Sequence, residues 1–180
     1  MIEGYGISLG GARTSSRSNP QCSTSRIGLM IRNILVVCMG NLYRSPIAEA
    51  LLQAMLPDCE VRSAGLHAAL GALAPTALRE IFAAHGLTRP HWAPWQIGSA
   101  DVSRADLLLV MEMAQKRELE KRFPAAAGKT FLYGASVGGD IEDPHGGDAE
   151  VIERCFEQIR ACVPGWVQRV DALNGAREHG

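Results

Sequence analysis

The sequence predicts an α/β fold: a single-domain, three-layer sandwich with a central four-stranded parallel sheet and helices on both faces. Three observations lead to it. Strand-like runs alternate with helix-patterned segments along most of the chain, the signature of β-α units feeding a parallel sheet. Two of those runs, Ile34-Leu35-Val36-Val37 and Leu107-Leu108-Leu109-Val110, are continuously apolar, as strands covered on both faces must be. A length of 180 residues with 47% hydrophobic content is enough for one substantial core and argues against two.

Taken in order, Ile34–Val37 is the first strand. Behind Arg44, Ser45 is a suitable N-cap and Pro46 suits a first helical position, so a helix is expected there. Ile47, Leu51, Ala54 and Met55 would form its apolar stripe, with Glu49 and Gln53 facing away. Glu60–Ser63 reads as the second strand, and Pro75–His85 as a helix ended by Gly86. Leu107–Val110 is the third strand, Met113–Arg122 a charged helix stopped before Pro124, and Thr130–Leu132 a short fourth strand. From Asp148, a helix cap, the pattern is helical to about Cys162, and Pro164 with Trp166 would open a last short helix. Trp92 and Trp95, flanked by Pro90 and Pro94, are expected to pin a long loop onto the core, with His85 and His91 structural.

Residues 1–29 differ in composition. Ser, Arg and Gly dominate from Leu9 to Arg26 without apolar periodicity or a signal-peptide core, so this stretch is expected to be a disordered or non-native extension, with Met30 the natural start. The folded domain would be 30–175 and the C-terminus 176–180 flexible. A net charge of −1 gives no general attraction to nucleic acid or to an anionic membrane, and the apolar runs are too short to insert in a bilayer. Five scattered cysteines fit a reducing cytoplasm better than a disulfide framework. Cys155 and Cys162 are expected to be core residues.

The chemistry concentrates between the first strand and first helix, in Cys38-Met39-Gly40-Asn41-Leu42-Tyr43-Arg44-Ser45-Pro46. A cysteine followed six residues later by an arginine is common by chance; strand before and capped helix after make it a frame. A loop closing onto a helix N-terminus turns several backbone N–H groups inward, and the helix dipole adds to their field. Such a loop binds phosphate and favours the thiolate of Cys38. Arg44 adds a planar fork for two phosphate oxygens. Gly40 and Asn41 tolerate left-handed backbone angles, and Ser45 can donate to the sulfur when it leaves. A cysteine acting on a phosphate ester also needs a proton donor for the leaving oxygen and then a base for water. Asp143, in Glu142-Asp143-Pro144-His145-Gly146-Gly147, is the carboxylate with a distinctive setting.

Together with Ala48-Glu49-Ala50, Ser63-Ala64-Gly65-Leu66, Pro75-Thr76-Ala77, Val110-Met111-Glu112 and Asp143-Pro144, this loop resembles the low-molecular-weight protein tyrosine phosphatases, especially the bacterial branch linked to capsule and exopolysaccharide synthesis. The resemblance implies catalytic roles for Cys38, Arg44 and Asp143 through a cysteinyl-phosphate, with Asn41, Ser45 and Ser63 supporting the loop. It implies substrate contacts from Met39, Gly40, Asn41, Leu42, Tyr43, Ser45, Leu66 and His145. It also implies no cofactor and no metal, a monomer, a phosphotyrosine protein as substrate such as a bacterial tyrosine autokinase, and inorganic phosphate as product. Two positions depart from the family. Tyr43 stands where many relatives have a second cysteine, so reversible trapping of an oxidised nucleophile inside the loop is not expected. His145 stands where relatives usually carry a tyrosine wall, and stacking on the substrate ring would become weaker or pH-dependent.

Three other readings compete. Gly134-Ala135-Ser136-Val137-Gly138 matches a serine-hydrolase elbow, yet the glycine-rich, acidic stretch after Ser136 offers no immediate helix. An arsenate reductase of the same fold would need redox cysteines between Cys59 and Cys155, where the sequence has none. A phosphotyrosine-binding module without turnover is the least economical, because Cys38, Arg44 and Asp143 are all present.

Overall fold

In a computed structural model, residues 30–89 and 93–175 are described. The expectations for 1–29, 176–180, Pro90, His91 and Trp92 lie outside them. Four parallel strands, β1 (Asn33–Cys38), β2 (Glu60–Gly65), β3 (Leu107–Val110) and β4 (Thr130–Leu132), form one sheet in the order β2-β1-β3-β4. The helices are α1 (Arg44–Met55), α2 (Thr76–Ala84), α3 (Ser99–Arg104), α4 (Met113–Arg122) and α5 (Ala149–Gly175). The strand period of two divides β1 between two cores. Ile34, Val36 and Cys38 pack with residues of α1, α2 and α5, while Leu35 and Val37 pack with Val102 of α3 and Leu119 of α4. Cys38 therefore ends its strand on the α1/α5 side. Strand order reverses at β1, whose neighbours are reached by crossovers in opposite directions, so the crevice beyond its C-terminal end is where such a sheet binds ligands.

Several expectations need correction. Helix α1 begins at Arg44 with Tyr43 as its flanking residue, so Ser45 is inside the helix and does not cap it. Its hydroxyl is drawn instead to the Cys38 sulfur. The buried face of α1 is Ile47, Ala48, Ala50 and Leu52, whereas Ala54 and Met55 are exposed, because the helix packs against both the sheet and α5. Glu49 and Gln53 are not turned away: Glu49 reaches Ser63, and Gln53 bonds the β2 backbone at Val61. Strand β2 runs two residues further than expected, and α3 was unmarked by any apolar period in its six residues.

The last short helix does not exist separately, since α5 runs unbroken through Pro164. An interior proline costs roughly 3 kcal/mol. Trp166, 4% exposed, donates from its indole nitrogen to the Tyr133 carbonyl at 2.8 Å. Burying a side chain of that size contributes on the order of 4–6 kcal/mol, which offsets the proline. Trp95, by contrast, is 59% exposed and holds its loop through hydrogen bonds, its N–H to Asn41 Oδ1 and its indole nitrogen to Asp101 Oδ2, rather than by burying its ring in the core. Ser136 closes a 3-10 turn, Tyr133–Ser136, rather than a strand-to-helix elbow.

At the opposite end of the sheet from Cys38, Asp106 accepts from the N–H groups of Arg32 and Asn33 at 2.9 and 2.8 Å and from the Asn33 amide at 3.2 Å. Burial alone would raise its carboxyl, but these donors and Lys129 outweigh it and hold the group below the usual carboxylate range. A depressed folded value means that the stabilisation is present above the unfolded value, near pH 3.9, and is lost as pH falls through the folded one. Asp106→Ala is therefore expected to lower stability in urea by about 1–3 kcal/mol at pH 7, with the gap narrowing below about pH 4. A gap of equal size at pH 3 and pH 7 would refute this role.

Candidate active site

The loop from Cys38 to Arg44 takes its shape from one left-handed residue. Asn41 has φ 56°, while Gly40, expected to share that freedom, does not need it. This turn brings the Asn41 N–H to 3.3 Å from the Cys38 sulfur. The Ser45 hydroxyl lies 3.0 Å from the same atom. With the first turn of α1 just behind, the sulfur sits where negative charge is stabilised from several sides. The Asn41 side chain is fully used: its amide nitrogen donates to Ser45 Oγ at 2.9 Å and Ser63 Oγ at 2.8 Å, and its oxygen accepts from the Trp95 N–H at 2.8 Å.

A further layer lies outside it. Ser63 donates to Glu49 Oε2 at 2.5 Å, and Arg89 bonds both partners, Nε to Glu49 at 3.1 Å and Nη2 to Ser63 at 3.0 Å. The second strand stitches the loop from the other side. Leu66, His67 and Ala69 donate their N–H groups to the carbonyls of Cys38, Met39 and Gly40. The chains pass so closely at Gly65 that an added Cβ would fall 2.7 Å from the Met39 carbonyl oxygen. Only glycine fits there.

Arg44 is 1% exposed and its guanidinium is surrounded. Nη1 donates to Glu112 Oε1 at 2.5 Å and to the Ile141 carbonyl at 2.9 Å, and Nη2 to Asp143 Oδ2 at 2.5 Å. Glu112, at the C-terminal end of β3, is itself held by Gln115 at 2.9 Å, and Gln115 accepts from the Met111 N–H. The Ile141 N–H in turn donates to the Met111 carbonyl, so the Asp143 segment is anchored on the end of β3. The arginine loop and the Asp-Pro loop are thus joined although far apart in sequence.

A cavity of about 220 Å3 opens over the thiol, lined by Cys38, Met39, Gly40, Leu42, Tyr43, Arg44, Ala69, Asp143 and His145. Tyr43 and His145 meet edge to face across its rim, with ring centroids 6.4 Å apart. Of the residues expected to contact a substrate, Asn41 and Ser45 lie beneath the floor, and Leu66 is fully buried in the second core. The reason is the alternation of β2 and its extension, which turns Leu66 toward α3 and α4; Ala69, three residues on, takes the wall position. No role at the site was expected of Glu112, Gln115, Glu49 or Arg89, although Glu112 and Glu49 stand in segments that carry the family resemblance. Glu112 carried a usable signal as a carboxylate ending a buried strand. Arg89 carried none.

Behind Asp143, Cys155 places its sulfur 3.9 Å from the Glu142 carbonyl. Burial pushes this thiol up to about 12, against the opposing pull of Arg44, so it is protonated and unreactive at neutral pH. Burial likewise raises Cys162. Among the described residues no disulfide links the four cysteines, and every buried side-chain polar atom has a partner.

The model for "Low molecular weight phosphotyrosine protein phosphatase" matches residues 33–175. The chain is 43% identical to the probable low molecular weight protein-tyrosine-phosphatase EpsP of Ralstonia nicotianae, over 80% of this chain and 99% of that protein. Its fold is similar to that of the tyrosine phosphatase Wzb from Escherichia coli K30 in complex with sulphate, with a TM-score of 0.74 and 31% identity over 78% of this chain and 99% of the other. It is equally similar to the YwlE arginine phosphatase from Geobacillus stearothermophilus, with a TM-score of 0.75 and 31% identity over 83% and 99%.

Two outcomes follow from the geometry. Iodoacetamide at pH 6 should label Cys38 and spare Cys155 and Cys162, as read by peptide mass; faster labelling of Cys155 would contradict the environments described. Arg89→Ala should lower stability by about 1–3 kcal/mol and slow Cys38 labelling several-fold, because Ser63 and Asn41 lose their backing. Unchanged labelling would detach Arg89 from the loop.

Proposed function

Since the chain belongs to the low molecular weight phosphotyrosine protein phosphatase family and is a cysteine-dependent protein-tyrosine phosphatase, we propose that Cys38, Arg44 and Asp143 perform its chemistry in the cavity described. The observation that carries the assignment is the contact of Arg44 Nη2 with Asp143 Oδ2, which unites two loops 99 positions apart over one thiol.

In the first step the Cys38 sulfur attacks phosphorus as the bond from phosphorus to the tyrosyl oxygen breaks. Asp143, in its acid form, gives its proton to that oxygen. Arg44 and the N–H groups of the loop hold the three equatorial oxygens. In the second step Asp143, now a carboxylate, takes a proton from water, whose oxygen attacks phosphorus while the sulfur leaves with a hydrogen bond from Ser45. Phosphate is released and the thiolate restored. Asp143 must exchange Arg44 for the leaving oxygen in this scheme. Glu112 keeps the guanidinium in place during the exchange, since it lies on the other nitrogen and is braced by Gln115.

Met39, Leu42, Tyr43, Ala69 and His145 give the cavity a largely apolar wall, which favours a phenyl ring over a guanidinium as the group carrying phosphate. The likeness to an arginine phosphatase makes phosphoarginine the competing substrate. We assign the physiological substrate to phosphotyrosine on a bacterial tyrosine autokinase of exopolysaccharide export, dephosphorylated in the cytoplasm. No helix among the described residues is long and apolar enough to cross a membrane.

Hydrolysis of an aryl phosphate at mildly acidic pH tests the assignment. Cys38→Ser should abolish turnover, and Asp143→Ala should lower kcat by about 100-fold or more, with a smaller loss on an aryl phosphate whose phenolate leaves readily without a proton. Faster hydrolysis of phosphoarginine than of phosphotyrosine peptides would overturn the leaving-group assignment. Binding of phosphopeptides without turnover by the wild type would leave a binding module.

A further inference from the structure

We propose that His85, Glu153 and Glu157 form a binding site for a divalent transition-metal ion of zinc type, clamping the end of α2 to α5. His85 follows the last residue of α2, and Glu153 and Glu157 lie four apart on α5, hence on one face of that helix. The imidazole nitrogen and one oxygen from each carboxylate all lie within 4.8 Å of one another.

The imidazole is held in orientation. Its ring stacks on that of Phe156, with centroids 4.2 Å apart and planes 27° apart, and Phe156 is fully buried. That stack leaves Nε2 facing the carboxylates, 3.4 Å from Glu153 Oε1. Zinc takes nitrogen at about 2.0–2.1 Å and carboxylate oxygen at about 2.0–2.2 Å, so ligands around a tetrahedral ion are roughly 3.3 Å apart. The His85 and Glu153 atoms already have that separation. The Glu157 oxygen needs a side-chain adjustment, which its 44% exposure permits once its ion pair with Arg160 is released. One imidazole and two carboxylates leave a fourth position for water; the nitrogen donor selects zinc-like ions over calcium or magnesium.

One group opposes the ion. Arg160 donates to Glu157 Oε2 from Nε at 2.9 Å and from Nη2 at 2.5 Å, and so competes for the third ligand. Removing the arginine should therefore improve binding, while loss of the imidazole nitrogen is what separates this site from a general acidic surface. His85 lies 68 positions from Glu153 in the chain, and only the packing of α2 on α5 brings it to the two glutamates.

The test uses the full chain carrying Cys38→Ser, which removes the active-site thiolate as a rival zinc ligand, with zinc chloride titrated calorimetrically and thermal melts run in parallel. One equivalent should bind and raise the Tm by a few degrees. His85→Phe keeps the ring stack on Phe156 while deleting the nitrogen, and should weaken zinc binding at least 10-fold and abolish the Tm rise without altering the metal-free melt by more than about 2 °C. Glu157→Gln should also weaken binding, and Arg160→Met should tighten it about 3-fold or more. Absence of binding up to about 1 mM zinc, equal binding by the His85→Phe protein, or an unchanged affinity on Arg160→Met would each overturn the three-ligand site.

Discussion

The structure turns on the side chain of Asn41. One residue in the left-handed region sets the curvature of the cysteine loop, and its amide then joins that loop to α1 through Ser45, to β2 through Ser63 and to the segment before α3 through Trp95. Each bond is worth only about 1 kcal/mol net, but a buried group left without its partner costs about 1–3 kcal/mol. Loss of Asn41 would strand partners on three elements at once, so the network stands or falls as a unit. Ser63 shows the same economy: one hydroxyl donates to Glu49 and accepts from Asn41 and Arg89, which exhausts its capacity.

Arg44 poses the opposite problem, a buried permanent charge that must be neutralised and held while one side of it stays open to an anion. Two carboxylates share it, and they are not equivalent. Glu112 is 31% exposed and tied to Gln115, whereas Asp143 is 41% exposed and lies on a loop beside the cavity. The inner carboxylate fixes the guanidinium and the outer one can trade places with an incoming anion. A lone buried arginine would be costly, and one held rigidly by both partners would repel nothing and bind nothing.

Legibility in the sequence followed the range of the interactions. Strands β3 and β4 and helix α4 have the boundaries their residues suggest, because an unbroken apolar run or a charged stretch before proline is a local signal. Cys38, Arg44 and Asn41 were legible for the same reason, as one continuous loop. What failed was decided by packing. Pro164 would end an isolated helix, but Trp166 and the core around it carry α5 through. Ser45 would cap a helix in water, but a nearby thiol claims its hydroxyl. Leu66 belonged to a segment tied to the site, yet the side of the sheet it occupies depends on where β2 ends, which no local pattern reveals. Glu49 looked like a solvent-facing helix residue until β2 and Arg89 were laid against it.

The tight crossing at Gly65 has a consequence for how such a chain can change over generations. That glycine ends β2 where it passes against the Met39 carbonyl, so it is a seam of the sheet and also a support for a loop residue that lines the cavity. A substitution there is read as a folding defect and as a chemical defect at the same moment. Stability gained elsewhere in the molecule could restore the seam's share of the loss but not the shape of the loop. Selection that watched only solubility and selection that watched only turnover would therefore conserve the same atom-free space, and this stretch should drift more slowly than either the core or the rim alone.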